Sequence, residues 1–150
     1  MRTRSRRREV ETRPEPAQFL NVDVDVYSRR RLRTLTEALG GRILLLYEGR
    51  EGSRYGAHWE LAGAFGKGPD YLIRHLASLI EGLPTAARRH WDDAQSRAFN
   101  IGVQAGLEPR AHELAVSPDT LARVATLRAR VVVTTYRPVV RDVGRSAPRR

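Results

Sequence analysis

The stretch "FLNVDVDVYS", residues 19–28, decides the fold because its apolar and polar residues alternate strictly. The alternating residues are Leu20, Asn21, Val22, Asp23, Val24, Asp25 and Val26. A period of two with one polar face is the pattern of a half-buried strand. We therefore predict a strand whose valines face a core and whose two aspartates, Asp23 and Asp25, lie on the opposite face.

The rest of the chain predicts further helices and strands. Ser28 is the expected N-cap of a first helix, which Gly40-Gly41 ends. Further strands are predicted over 42–48, 54–63, 97–106, 111–117 and 129–136. Further helices are expected from about Pro69 to Gly82, over 84–94, and after the N-cap pair Ser117-Pro118.

This order of elements indicates an α+β fold. We expect a two-layer sandwich with a mainly antiparallel sheet of about six strands and three main helices on one face. The order of the first six elements is that of a ferredoxin-like core. The domain is predicted to span 18–137, with a disordered basic arm at 1–17 and a flexible basic tail at 138–150.

Composition narrows the classes of function. The chain has 150 residues and no cysteine, which excludes disulfides, zinc–thiolate sites and cysteine nucleophiles. No apolar run approaches the ~20 residues that span a bilayer, and we expect a cytoplasmic protein without a membrane contact.

The net charge of +10 points to nucleic acid or another polyanion, but it is unevenly distributed. The first 18 residues carry +3 and the last 14 carry +4, so the 118 residues between them carry an ordinary +3. There are 26 Arg and one Lys, Lys67, a bias that a GC-rich genome also produces. Both interpretations of the charge stay open.

Three segments resemble a family of uncharacterised bacterial α+β domains over about Ser53–Tyr136. They are "HWELAG" (58–63), "LIRHLASLIEGLP" (72–84) and "SPDTLARVATLRARVVVTTY" (117–136). The shared motifs are structural, and the resemblance implies no catalytic residue. Because some small domains of this kind occur near bacterial toxin systems, the resemblance implies that this chain is an immunity-like partner of another bacterial protein.

The best candidate site is the polar face of the first strand. Asp23 and Asp25 are about 6.6–7 Å apart along a strand, a spacing that suits a metal or an acid–base pair. If Trp59 is in the core, the other candidate ligand-binding residues share this face: Asn21, His58, Glu60, Asn100 and Gln104. The alternative is a solvated sheet face, and strand order decides whether these residues meet.

A second candidate is the run "RRRLR" (29–33), with Arg29, Arg30, Arg31 and Arg33 as polyanion-binding residues. Cations in the first turn of a helix oppose its macrodipole, which suggests a negatively charged partner. The alternative is the Arg-rich composition. No phosphate-loop, GxSxG, HExxH, EF-hand or GxGxxG motif is present, so we predict no catalytic residue, metal or cofactor.

Three functions follow from these observations. The first is a non-enzymatic binding or protein-interaction module, with the immunity-like role that the resemblance implies. The second is nucleic-acid or polyanion binding through the Arg-rich arms, and the third is a small-ligand or metal site on the polar face. An edge strand such as 129–136 also favours a homodimer.

Overall fold

The structure is a computed structural model that describes residues 12–142. In chain order the elements are β1 (Thr12–Pro14), β2 (Gln18–Ser28), α1 (Arg33–Leu39), a 3-10 helix (Gly40–Arg42), β3 (Ile43–Glu51), β4 (Arg54–Leu61), α2 (Pro69–Glu81), α3 (Thr85–Asp92), β5 (Ser96–Gln104), α4 (Pro118–Thr126), β6 (Arg130–Tyr136) and β7 (Val140–Asp142). The α+β class is confirmed.

The main sheet has five strands in the order β3-β4-β2-β5-β6. Its pairs are antiparallel except β5 and β6, which run parallel. The chain between β5 and β6 contains α4 and forms the crossover connection that two parallel strands require. Strand β2 therefore lies at the centre, with β4 on one side and β5 on the other.

Among the described residues, helices cover one face of the sheet and leave the other uncovered. The predicted valines of β2, Val22, Val24 and Val26, are at most 2% exposed and face the helices. Trp59 from β4 and Phe99 from β5 lie beside them and are fully buried. The alternation of β2 is therefore confirmed, and its aspartates lie on the uncovered face.

Two local predictions at helix ends are confirmed. Gly40 follows α1 with a φ of 56°, a conformation that glycine adopts without strain. Ser117 is the N-cap of α4, where its hydroxyl accepts a hydrogen bond from the Thr120 N–H, and Pro118 occupies the first turn.

Other predictions are wrong. The main sheet has five strands, not six, and the described residues contain four α-helices instead of three. The segment 111–117 is not a strand, because its alternating Leu114 and Val116 pack against the core without pairing to the sheet. Ser28 is not an N-cap, because β2 continues through it and α1 begins only at Arg33.

Residues 1–11 and 143–150, which hold most of the predicted arm and tail, lie outside the described residues. The described inner ends of these segments include β1 and β7, which pair antiparallel as a separate small sheet. Within the described part of the chain, no helix combines the length and the apolar character needed to cross a bilayer.

Trp91 joins the helical layer to the end of α4. Its ring is fully buried, and its Nε1 donates a hydrogen bond to the Leu127 carbonyl at 3.1 Å. We expect Trp91→Phe to lower the free energy of unfolding by about 1–3 kcal/mol, because it leaves a buried carbonyl without its donor. Urea denaturation followed by circular dichroism measures this, and a change below about 0.5 kcal/mol would contradict it.

Candidate functional site

The uncovered face of the sheet carries two neighbouring rows of side chains, each of which runs across β4, β2 and β5. In the first row, Glu60, Asp23 and Asn100 are direct neighbours on β4, β2 and β5. In the second row, His58 faces Asp25, and Ala98 faces Asp25 from the other side. The strand order thus brings together residues that are far apart in the sequence.

Asn21 joins the two carboxylates of the first row. Its Nδ2 donates to Glu60 Oε1 at 2.5 Å and to Asp23 Oδ1 at 3.0 Å. Gly102 faces Asn21 across the strand pair, and a Cβ at Gly102 would lie 2.3 Å from Asn21 Oδ1. The missing side chain at Gly102 therefore leaves the space in which the Asn21 amide lies.

His58 lies between two carboxylates in the second row. Its Nδ1 is 2.7 Å from Asp25 Oδ1, and its Nε2 is 3.2 Å from Glu51 Oε1. The side chains of His58 and Asp25 are only 20% and 22% exposed. Because an ionised carboxylate only accepts hydrogen bonds, both ring nitrogens donate when His58 is an imidazolium.

Asn100 and two aromatic rings complete the surroundings of Asp25 and His58. Asn100 donates to Asp25 Oδ2 at 3.3 Å and accepts from the Thr134 hydroxyl at 2.8 Å. The rings of Tyr27 and Tyr47 lie 5.3 and 5.7 Å from the His58 ring, measured between centroids. The acid face, as we call this surface, is defined by Asn21, Asp23, Asp25, Tyr27, Tyr47, Glu51, His58, Glu60, Asn100 and Thr134.

The pKa values of two groups on the acid face are shifted upward. Burial, followed by the hydrogen bond and charge of Glu60 and the charge of Asp25, raises the pKa of Asp23 to about 7. Burial alone would lower the pKa of His58, but its hydrogen bonds to Asp25 and Glu51 outweigh burial and raise it above the ordinary 6.5. A proton on either group partly neutralises the neighbouring acids.

Six of the seven residues predicted for the polar face fall into two hydrogen-bonded groups of three. The exception is Gln104, which lies at the far end of the face and donates to Glu15 Oε2 at 3.1 Å. Asn21, Asp23 and Glu60 form one contact group, and Asp25, His58 and Asn100 form the other.

Sequence reasoning missed Glu51, Tyr27, Tyr47 and Thr134. The predicted strands over 42–48 and 54–63 leave Glu51 between them, but β3 runs through Glu51, and the turn is formed by Gly52 and Ser53 alone. A two-residue turn containing Gly is the common hairpin signal that would have extended β3 to Glu51. Gly56 then makes room for it, because a Cβ there would lie 2.8 Å from Glu51 Oε1.

Three of the four predicted polyanion-binding arginines contact side chains of the same chain. Arg29, Arg30 and Arg31 precede α1, so they do not oppose its dipole from the first turn. Arg30 lies 3.7 Å from Asp93, Arg31 lies over the Tyr55 ring, and Arg33 bonds Glu37 at 2.7 Å.

The contacts of His58 limit what its ring can do chemically. Both nitrogens of His58 already bond carboxylates, so neither is open to take a proton from a substrate. Among residues 12–142 no group of three or more His, Asp or Glu side chains is placed to hold a metal ion.

Comparison of the chain with known protein families, curated proteins and solved structures finds no match.

The raised pKa of Asp23 makes stability depend on pH. Between its ordinary 3.8 and about 7, the folded state binds more protons than the unfolded state, so the free energy of unfolding falls as pH rises. The contribution of His58 has the same sign, since it is present below pH 6.5 and is lost as pH rises through the higher folded-state pKa.

We expect Asp23→Asn to flatten this fall between pH 4 and 7. At pH 8 the variant should be more stable than the wild type by about 1–2 kcal/mol, allowing for solvent screening. Urea denaturation at a series of pH values measures the slope. Asp92→Asn, an exposed change outside the acid face, should keep the wild-type slope. An unchanged slope in Asp23→Asn would show that the Asp23 pKa is not raised.

Proposed function

We propose that the protein is a non-enzymatic binding module whose acid face docks a cationic segment of another protein. The observation that carries the proposal is the set of four carboxylates, Asp23, Asp25, Glu51 and Glu60, held half-buried around one histidine on the uncovered sheet face. The chain as a whole is strongly basic and repels cations. The acid face is therefore the surface with the charge that attracts a cationic segment.

The acids are oriented before any partner arrives. Asn21 fixes Asp23 and Glu60, while Asn100 and His58 fix Asp25. Fixed acceptors lose little conformational entropy on binding, so a Lys or Arg side chain meets a surface already arranged to accept its hydrogen bonds.

An apolar surface adjoins the acid face and favours a protein segment over a small cation. A groove of about 700 Å³ opens beside Glu60, and Phe65 in its loop is 95% exposed. Along β3, Leu44 and Tyr47 pair with Glu60 and His58 of the acid face, and their side chains are 55% and 39% exposed. Exposed apolar patches of this kind mark interaction sites.

The proposal extends to the fold and the setting. We place β2–α1–β3–β4–α2–β5 in a ferredoxin-like core, which the strand order β3-β4-β2-β5 supports, with α4 and β6 as an addition at one edge. The resemblance to bacterial domains found near toxin systems supports a cytoplasmic, immunity-like role with a bacterial protein as partner.

A labelled peptide of alternating Arg and Leu residues tests the acid face by fluorescence anisotropy. We expect it to bind more tightly than the same peptide with Glu in place of Arg. Glu60→Gln should weaken binding about fivefold, ~1 kcal/mol, because a half-buried charge partner is lost. Glu113→Gln makes the same change of net charge on an exposed loop and should leave binding unchanged.

Two outcomes would contradict the proposal. One is equal binding of the Arg and Glu peptides, and the other is equal weakening by Glu60→Gln and Glu113→Gln.

The polyanion alternative rests on the charge of the chain ends, and it predicts heparin retention that falls steeply with salt and is lost when 1–11 and 143–150 are removed.

A further inference from the structure

The outer edge of β6 is an unprotected strand edge. β6 pairs with β5 on one side, and no strand within residues 12–142 pairs with its other side. Val133 is 61% exposed and Tyr136 is 48% exposed. The strand contains no proline and no bulge, and Arg130 at its start is its one charged residue. Natural proteins usually protect such an edge or pair it with another strand.

The backbone groups that face outward can be identified. The Tyr136 carbonyl accepts a hydrogen bond from the Ala105 N–H at 2.9 Å, so it points toward β5. Because the N–H and C=O of successive residues in a strand point to opposite sides, Val131, Val133 and Thr135 present theirs to the outside. These three residues are therefore available to pair with a further strand.

We propose that a second copy of this chain pairs with β6 in antiparallel orientation, about a twofold axis at Val133. In this register Val133 faces Val133 of the second copy, and Val131 faces its Thr135. All three outward residues of each copy are then used, giving about six backbone hydrogen bonds, two for each facing pair. A shift of the register by two residues leaves an outward residue unpaired at each end.

The side chains fit the same register. Arg130 faces Tyr136 of the second copy, which allows a cation–π contact at each end of the interface. The two copies of Arg130 lie about 20 Å apart, beyond the Debye length at physiological salt, so they repel each other little. On the other side of the sheet, the two exposed Val133 side chains cover each other at the axis.

The opposite edge of the sheet is less suited to a second copy. In β3 the register shifts between Leu45 and Tyr47, which places a bulge in the middle of that strand. Bulges at sheet edges disrupt further pairing. A dimer through β6 gives a continuous sheet of ten strands with both acid faces on the same side. The dimer proposal does not depend on the proposed function.

Cysteine cross-linking tests the register, because the chain has no cysteine of its own. Facing residues in a hydrogen-bonded antiparallel pair have Cα atoms about 5.5 Å apart, within disulfide range. We expect Val133→Cys to form a disulfide-linked dimer under mild oxidation. Val131→Cys alone should form no disulfide-linked dimer, since the two copies of position 131 would lie about 13 Å apart, but it should cross-link when mixed with Thr135→Cys.

Sedimentation equilibrium tests the association without cysteine. Because a single strand edge buries less than a standard interface, we expect a wild-type dimer with a Kd of about 10 µM. Val133→Lys should weaken it at least tenfold, while Leu46→Lys on the β3 edge should not. A wild-type monomer at 100 µM, or equal cross-linking of Val131→Cys and Val133→Cys alone, would overturn the proposal.

Discussion

The two faces of the central strand β2 constrain the rest of the structure. Its valines, together with Trp59 and Phe99 from its neighbours, form the floor on which the helices pack. Alternation then forces Asp23 and Asp25 onto the other face. A strand with neighbours on both sides shields these aspartates partly from water, so acids that are not in the core are still half-buried.

Partial burial explains why the acid face contains a histidine and two asparagines. Four carboxylates in one half-buried surface repel each other, and each loses hydration. The raised pKa values of Asp23 and His58 favour a proton on each group, which reduces that cost, while the amides of Asn21 and Asn100 supply donors without adding charge. What charge remains is held in place by these hydrogen bonds, as the proposed docking of a cationic segment requires.

The sequence predicted the parts of the structure that depend on local pattern. The alternation of β2, the burial of Trp59 and the caps at Gly40 and Ser117 were all readable, because each depends on a few neighbouring residues. That His58 and Asp25 are neighbours depends on strand order, which no local pattern encodes. The other errors have two causes. The end of β3 was predicted too early, so Glu51 fell outside the strand. The segment 111–117 was predicted as a strand because packing against the core also produces an alternating pattern.

The protonation of His58 tests the account most directly, because an imidazolium between Asp25 and Glu51 requires the strand order, the burial and the acids together. Two-dimensional ¹H–¹⁵N NMR of the imidazole rings measures it, with His58→Asn to assign the signal. The account predicts that both ring nitrogens of His58 are protonated at pH 6.5 and that the ring titrates above the ordinary value of 6.5. A neutral ring at pH 6.5, titrating at or below that value, would contradict it.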